Sequence, residues 1–302
     1  MTVYGSRLAD PDCREAIENN AGEEGCHKPL LSNLGAPTAS GWLRRGAARN
    51  SIRAATSQEI SMPHALASEL APTGVLRAAV NLSNFLLVTG RSANGDPEGV
   101  SPDMAHAIAA KLGVEVKYVP FERPSGLADA AGTNVWDIGL IGAEPARAEK
   151  IAFTAAYVEI ESTYLVPEDS PLLTIADVDR AGIRIAVTAG SAYDLWLERN
   201  IHHATLVRSN AARSAWQQFT EDKLEAMAGL RPGLLSDVQK LPGSRILDGQ
   251  FTAVQQAIGT AKANTAGAEF LRVFVEEAKA SGLVASLIEK HHVNGLSVAP
   301  AA

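Results

Sequence analysis

The stretch that decides the fold of this chain reads Trp136-Asp-Ile-Gly-Leu-Ile-Gly-Ala-Glu-Pro-Ala-Arg147-Ala-Glu-Lys-Ile-Ala-Phe153-Thr-Ala-Ala-Tyr157. Its opening segment, residues 137–141, is a short apolar run of the kind that forms a buried strand. Pro145 then predicts the start of a helix, because proline is tolerated at the first helical position. A buried strand followed by a helix is the unit from which α/β folds with mostly parallel sheets are built.

The same alternation continues on the N-terminal side of this stretch. Strands are predicted at residues 75–80 and 114–119, and a short helix at 126–131. Between the two strands, apolar residues recur on one face of a predicted helix that ends at Gly113. These residues are Met104, Ala105, Ile108, Ala109 and Leu112.

After Pro171 the alternation starts again and predicts a second lobe. A helix is expected at residues 174–180, and β-forming runs predict strands at 183–188, 204–207, 224–228 and 245–247. Near the C-terminus, apolar residues at helical spacing between Phe270 and Ile288 predict two helices separated by Gly282.

The opening stretch resembles the lobe-one core of the family 3 extracellular solute-binding proteins, the amino-acid-type receptors of ABC importers. In that family an aspartate, an arginine, a phenylalanine and a tyrosine recur in this order, and Asp137, Arg147, Phe153 and Tyr157 match them. The segment 99–113 also resembles the family's first helix, which starts at a glycine. The resemblance covers about residues 70–297.

The resemblance implies the type 2 periplasmic-binding-protein fold, with two α/β lobes joined by two hinge strands and a ligand cleft between them. The hinge strands are expected at residues 157–167 and 250–257. Lobe 1 is then predicted at 69–165 plus 251–302 and lobe 2 at 166–250. Residues 1–68 mix an acidic patch with an arginine-rich stretch and lack periodicity, so we expect a disordered or mis-assigned N-terminal extension.

The resemblance also implies a carboxylate site. Arg147 matches the arginine that clamps the ligand's carboxylate in the family, and a guanidinium meets a carboxylate with two charged hydrogen bonds. The alternative is a surface arginine that pairs with Glu144 or Glu149. Ser191 and Ala192 resemble the family's Gly-Ser-Thr turn, which holds the same carboxylate from lobe 2; the alternative is that Ser191 only caps a helix.

Two regions depart from the family's pattern. Gly142, Ala143 and Glu144 stand before the arginine as further ligand-contact candidates, in a loop about two residues shorter than in relatives. In lobe 2 the family's acid for the ligand's ammonium is missing, and Arg231 stands there instead. A basic group would repel an ammonium and favour a second anionic group, unless Arg231 is a solvated helix-start residue.

Asn84 and Phe85, with Asn81, follow the first strand, where relatives place polar contacts and an aromatic lid over the solute. The alternative for Phe85 is a place in the core, the usual location of a phenylalanine beside other apolar residues. Glu122 and Arg123 occupy another loop that faces the cleft in the family, and surface exposure is their alternative.

Composition excludes several other functions. A formal net charge of −7 argues against a surface for nucleic acid or anionic membranes, and no apolar run is long enough to cross a bilayer. Only Cys13 and Cys26 are present, both near the start, so a disulfide framework is not expected. The adjacent histidines His202-His203 and His291-His292 lack accompanying ligands at metal-binding spacing. We therefore expect no cofactor and no metal.

The sequence predicts a substrate-binding component of an ABC importer that binds a small carboxylate-bearing solute, binds no nucleic acid, acts as a monomer and partners a permease. Periplasmic localisation is implied by the family, whereas the absence of a recognisable signal peptide leaves a cytoplasmic sensor open. The alternative is an enzyme of the prephenate dehydratase type, with Glu144 or Glu122 as general acid. A regulator's effector domain is disfavoured because no helix-turn-helix pattern precedes the body.

Overall fold

The computed structural model describes residues 64–210 and 212–302, which belong to one compact unit. Most of the predicted N-terminal extension lies outside these residues. Residues 64–68, which the sequence assigns to it, instead begin a helix, because Leu66 and Leu70 are buried against the body. The helices are α1 His64–Leu70, α2 Val100–Leu112, α3 Pro124–Asp129, α4 Ala192–Asn200, α5 Ala215–Glu221, α6 Arg231–Lys240, α7 Thr265–Ala280 and α8 Leu283–Lys290.

The strands form a large mixed sheet and one small hairpin. They are β1 Val75–Asn81, β2 Gly90–Arg91, β3 Pro97–Glu98, β4 Glu115–Phe121, β5 Ile138–Gly142, β6 Ile151–Phe153, β7 Val158–Pro167, β8 Arg184–Val187, β9 Thr205–Arg208, β10 Ala226–Leu230, β11 Ser244–Ile246, β12 Thr252–Ala261 and β13 Ser297–Val298. The main path of the large sheet runs β4-β1-β5-β12-β7-β10-β8-β9.

Two strands in the middle of this path divide the sheet into two parallel halves. Strand β1 pairs in parallel with β4 and β5, and β8 pairs in parallel with β9 and β10. Strands β7 and β12 are antiparallel to each other and to their neighbours β10 and β5. The chain thus has the two-lobed α/β fold expected from the sequence, with β7 and β12 crossing between the lobes.

The hydrophobic cores divide along the same line. One group of buried residues extends from Leu66 to Ile160 and from Ile258 to Leu287, and we call this part lobe 1. The other group extends from Tyr164 to Leu247, and we call it lobe 2. Strand β7 contributes Ile160 to the first core and Tyr164 to the second. This strand is therefore anchored at each end in a different core.

Three elements differ from the sequence-based expectation. The helix expected at Pro145 is a single 3-10 turn, Arg147–Glu149, because β6 already begins at Ile151 and leaves no room for a longer helix. The helix expected at 174–180 is also one 3-10 turn, closed by a reciprocal cap between Thr174 and Asp177. The second hinge strand continues to Ala261, beyond the expected end at residue 257, because β12 also pairs with β5 and β6.

Candidate binding site

A cavity of about 250 Å³ lies between the two lobes, at the ends of β1 and β5 in lobe 1 and of β8 and β10 in lobe 2. This is the edge at which open α/β sheets bind ligands, because loops and helix N-termini meet there. Its lining comes from both lobes and from β12, which contributes Val254 and Gln256. The alternate positions 254 and 256 face the same side, as the two-residue period of a strand requires.

Arg147 is the one cationic side chain among the described residues that line this cavity. Its side chain is buried, with 6% of the residue exposed. The guanidinium donates to the carbonyl of Gly142 at 2.6 Å in lobe 1 and to the carbonyl of Gly190 at 2.8 Å in lobe 2. Glu144, considered as its partner on sequence grounds, pairs instead with Arg199 at 2.5 Å.

The environment of Arg147 favours an incoming anion. Burial lowers the pKa of the guanidinium to about 10, and the nearby carboxylates of Glu144 and Asp129 only partly oppose this. The group therefore stays protonated at neutral pH, in a site where its charge has lost much of its hydration. A buried cation that hydrogen-bonds to neutral carbonyls gains from a carboxylate brought beside it.

The N-terminus of α4 faces the same cavity from lobe 2. Ser191 is the N-cap, and its Oγ accepts a hydrogen bond from the backbone N–H of Asp194 at 3.1 Å. Ala192 and Tyr193 follow and also line the cavity. The first N–H groups of a helix have no partner within the helix, and together with the helix dipole they attract anions. Arg147 and this helix end therefore form one candidate anion site.

The turn before α4 is held rigidly in place. Gly190 has a φ of +70°, in the left-handed region, and a Cβ there would lie 3.2 Å from the Cβ of Ser125 in lobe 1. Asp194 accepts from the Gly190 N–H at 2.8 Å and from the Arg208 Nε at 2.8 Å. These two interactions fix the turn so that the Gly190 carbonyl reaches Arg147.

The family model of the bacterial extracellular solute-binding proteins, family 3, matches residues 83–294. The chain belongs to this family. The match spans both lobes and, apart from β1, the elements that form the cavity. This family 3 solute-binding protein therefore has its candidate anion site between lobes joined by two strands, in the cleft that the sequence resemblance implied.

Several solved structures have a similar fold. A variant of ArgBP from T. maritima is 25% identical with a TM-score of 0.60, and the match covers 76% of this chain and 99% of that one. The amino acid ABC transporter substrate-binding protein AbpA from Streptococcus pneumoniae is 19% identical with a TM-score of 0.59, covering 74% and 96%. The ancestral amino acid-binding protein AncCDT-1, described as a precursor of cyclohexadienyl dehydratase, is 24% identical with a TM-score of 0.59, covering 74% and 97%. No curated protein sequence matches this solute-binding protein significantly.

The cavity brings together most of the site residues expected from the sequence. Arg147, Gly142, Ser191, Ala192, Asn84 and Phe85 all line it, as does Asn81. Asn84 is buried, and its Oδ1 accepts from the backbone N–H of Leu86. Phe85 is 54% exposed rather than a core residue. Its ring lies beside Gly233 of lobe 2, where an added Cβ would be 3.3 Å from it.

Three predicted residues do not line the cavity. Ala143 donates its backbone N–H to the carbonyl of Gln255 in β12, and Glu144 is held by Arg199. The Arg231 side chain turns to Glu161 on β7, with an Nε–Oε2 distance of 2.6 Å, and to the Gly249 carbonyl. Arg231 starts α6, so the interpretation as a helix-start residue fits the geometry better than a second anion site.

Several lining residues were not recognised as site residues from the sequence. They are Ser83, Pro124, Thr188, Tyr193, Trp216, Met227, Ala228, Gly229, Leu230, Gly233, Leu234, Asp237, Val254 and Gln256. The sequence did contain a pattern that could have identified three of these residues, which lie on α6. Gly233, Leu234 and Asp237 share a face at helical spacing, directly after a strand that ends at the cleft.

Metal chemistry receives no support in the described ranges, where no three His, Cys, Asp or Glu side chains are grouped to hold an ion. His202 and His203 instead donate their backbone N–H groups to Asp179, and the His291 ring bonds to Asp103 at 2.7 Å. Among helices of the described residues, none has the length and apolar character that a bilayer crossing needs.

Proposed function

We propose that this protein holds a small carboxylate-bearing solute, an amino acid or a related organic acid, between its lobes and presents it to an ABC permease. The observation that carries the proposal is the buried guanidinium of Arg147, which hydrogen-bonds to carbonyl groups of both lobes beside the N-terminus of α4. A carboxylate placed there receives charged hydrogen bonds from one lobe and backbone N–H groups from the other.

Relatives support the choice of ligand class. The S. pneumoniae protein is described as bound to L-arginine, and another similar structure is a cysteine-binding protein from Campylobacter jejuni. Two further structures are ancestral arginine-binding proteins, one bound to arginine and one to glutamine. All of these ligands carry a carboxylate, the group that Arg147 suits.

Contacts between the lobes support a closure mechanism. Arg147 reaches Gly190, Glu144 pairs with Arg199, and a Cβ at Gly142 would lie 2.9 Å from that of Ala192. A ligand that touches both lobes favours the arrangement in which they meet, by as much as its affinity for the two arrangements differs. The permease then distinguishes the loaded from the empty protein by this arrangement.

We also propose that the protein works outside the cytoplasmic membrane, as the family's description as extracellular suggests. Cell fractionation of the natural host tests this, and exclusive recovery in the cytoplasmic fraction would favour a cytoplasmic sensor instead. Size-exclusion chromatography with light scattering tests the expected monomer.

A dehydratase is the second candidate, because one similar structure is described as a precursor of cyclohexadienyl dehydratase. Such an enzyme needs a general acid that faces the substrate. The two glutamates considered for that role do not line the cavity: Glu144 pairs with Arg199, and Glu122 is exposed on a neighbouring loop. This arrangement disfavours these two glutamates as the general acid.

The proposal is tested by a thermal-shift screen of the purified protein against amino acids, dicarboxylates and aromatic acids. A ligand that binds only the native state stabilises it by about 2.7 kcal/mol at 100 times its Kd, so a clear rise in Tm is expected for at least one acid. Arg147→Ala should abolish that rise. Arg272→Ala is the matched control, since Arg272 is exposed on α7 and pairs with Glu269.

Chemical analysis of the bound acid after recovery separates the two candidate functions. An unchanged acid is expected. A dehydrated product would establish the enzyme, and an unaltered rise in Tm for Arg147→Ala would refute the assigned carboxylate site. The melting temperature of Arg147→Ala without ligand shows whether the variant is folded.

A further inference from the structure

The electrostatic character of the cavity differs from the one expected from the sequence. Arg231 had suggested a second anion-binding group, but it is engaged by Glu161 outside the lining. The described lining instead contains one carboxylate, Asp237 on α6, besides the cation Arg147. The cavity therefore offers one positive and one negative side chain.

Asp237 is available to a ligand. Its side chain is 27% exposed, and its salt-bridge partner is Lys240 at 3.3 Å, one turn further along α6. Lys240 is itself 66% exposed. An exposed pair of this kind has a small interaction energy and exchanges readily for a better partner. Asp237 can therefore turn to a cation in the cavity at little energetic cost.

The position of Asp237 sets it apart from the strand-end acid that is missing in this protein. Leu230 ends β10 and lines the cavity with an apolar side chain. Asp237 lies seven residues further along α6, which corresponds to roughly 10 Å at about 1.5 Å per residue. A cation held by Asp237 is therefore displaced along α6 from the place that a strand-end acid would serve.

The surroundings of the two charges are also different. The carboxylates that act on the guanidinium of Arg147 are Glu144 and Asp129, whereas Asp237 acts on the phenol of Tyr193. Burial raises the pKa of that phenol, and the negative charges of Asp194 and Asp237 raise it further. Arg147 follows β5 in lobe 1 and Asp237 lies on α6 in lobe 2, so the two charges reach the cavity from different lobes.

Apolar and aromatic side chains line the cavity together with these two charges. They include Tyr193, Trp216, Met227 and Leu234. Such surfaces suit the methylene groups of a ligand, and aromatic faces also attract a cationic nitrogen.

We propose that Asp237 receives a cationic nitrogen of the ligand, so that the preferred solute is an acid whose ammonium or guanidinium is separated from its carboxylate by a carbon chain. This inference rests on the proposed carboxylate site at Arg147. It specifies an ω-amino or ω-guanidino acid rather than an acid with a second carboxylate or with its ammonium on the adjacent carbon.

Titration calorimetry tests this with 4-aminobutanoate, 5-aminopentanoate, 6-aminohexanoate and 5-guanidinopentanoate, and with pentanoate, 2-aminopentanoate and pentanedioate as comparisons. At least one ω-substituted acid should bind tenfold or more tightly than all three comparison acids. Asp237→Asn should reduce its affinity to that of pentanoate. Asp248→Asn removes the same charge from an exposed position in lobe 2 outside the lining and should change nothing.

A charge reversal provides an independent check. Asp237→Lys should shift the preference from the ω-amino acids to pentanedioate. The inference is overturned if 2-aminopentanoate or pentanedioate binds the native protein most tightly, or if Asp237→Asn leaves every affinity unchanged. In either case, carboxylate binding that Arg147→Ala abolishes would leave the proposed function intact. If none of these acids binds the native protein, this inference fails, while the wider thermal-shift screen still decides the proposed function.

Discussion

Gly142 lies where lobe 1 touches lobe 2, at the end of β5 and beside Arg147. A Cβ added there would lie 2.9 Å from the Cβ of Ala192 in lobe 2 and 3.0 Å from a methyl group of Val254 on β12. These distances are shorter than an ordinary van der Waals contact. The absence of a side chain at this residue allows the two lobes to meet.

Gly142→Ala should therefore weaken ligand binding by about tenfold or more, which corresponds to about 1.4 kcal/mol, because the lobes are held apart. Gly126→Ala is the control, since its nearest neighbour would be a ring carbon of Phe121 at a comfortable 3.6 Å. Calorimetric Kd values for both variants give the result. Equal affinities for the two would show that closure does not pass through Gly142.

The residue types predicted some of the side chains that line the cavity but not others. Arg147 and Ser191 line the cavity. Both could be predicted because each belongs to a short motif that indicates the residue and the element that carries it. Arg231, for which ligand contact and a helix-start role were both considered, lies outside the lining, because it pairs with Glu161 on the crossing strand β7, a contact that the sequence does not show. Asp237 was not among the predicted lining residues, because the sequence does not show which face of α6 turns to the cleft.

Among the elements, helix α2 begins at a backbone position that only glycine suits. Gly99 has a φ of +143°, and a Cβ there would lie 2.3 Å from the carbonyl oxygen of Leu87. The Ser101 N–H then donates to this same carbonyl at 3.0 Å, which joins the start of α2 to the loop after β1. That loop carries Asn84 and Phe85 to the cavity.

Gly99→Ala should destabilise the protein by roughly 1–3 kcal/mol, the usual cost of a strained backbone conformation, plus the effect of displacing the Leu87 carbonyl. Urea unfolding measures the change. Gly95→Ala separates the two causes, because Gly95 has a φ of +85° but a Cβ added there would have no atom within 4 Å. A loss no greater than that of Gly95→Ala would mean that the contact with Leu87 is unimportant.

The type and order of most elements followed from the sequence, while their lengths did not. Periodicity identified α2 and the strands around it, since both depend on local spacing. The 3-10 turn at Arg147–Glu149 was predicted as a helix because proline favours a helix start, yet the next strand leaves no room for one. The full length of β12 depends on pairing with β5 and β6. These strands are separated from β12 in the sequence by the whole of lobe 2.

For the whole molecule, the ion pair between Glu144 and Arg199 links the lobes outside the lining of the cavity. The Glu144 side chain is 9% exposed and that of Arg199 is 39% exposed. Partial exposure of the arginine keeps the interaction weak, since water and salt screen the charges. The pair should therefore adjust the closing equilibrium without controlling it.

A double-mutant cycle with Glu144→Gln and Arg199→Gln should give a coupling energy of about 0.2–1 kcal/mol in ligand binding. The pair Glu269–Arg272 on α7 is the control, because both residues belong to one helix of lobe 1 and their coupling should not appear in the Kd. A cycle that closes to zero for Glu144 and Arg199, or equal coupling in both pairs, would contradict a role in closure.

The crossing of β7 and β12 also determines the order in which the two lobes can be completed during synthesis. The core of lobe 2 uses one continuous stretch of chain, from Tyr164 to Leu247. The core of lobe 1 joins residues near Leu76 to residues near Leu271, with all of lobe 2 between them. A growing chain therefore contains every core residue of lobe 2 while lobe 1 still lacks β12 and α7, so the lobe that begins first is finished last.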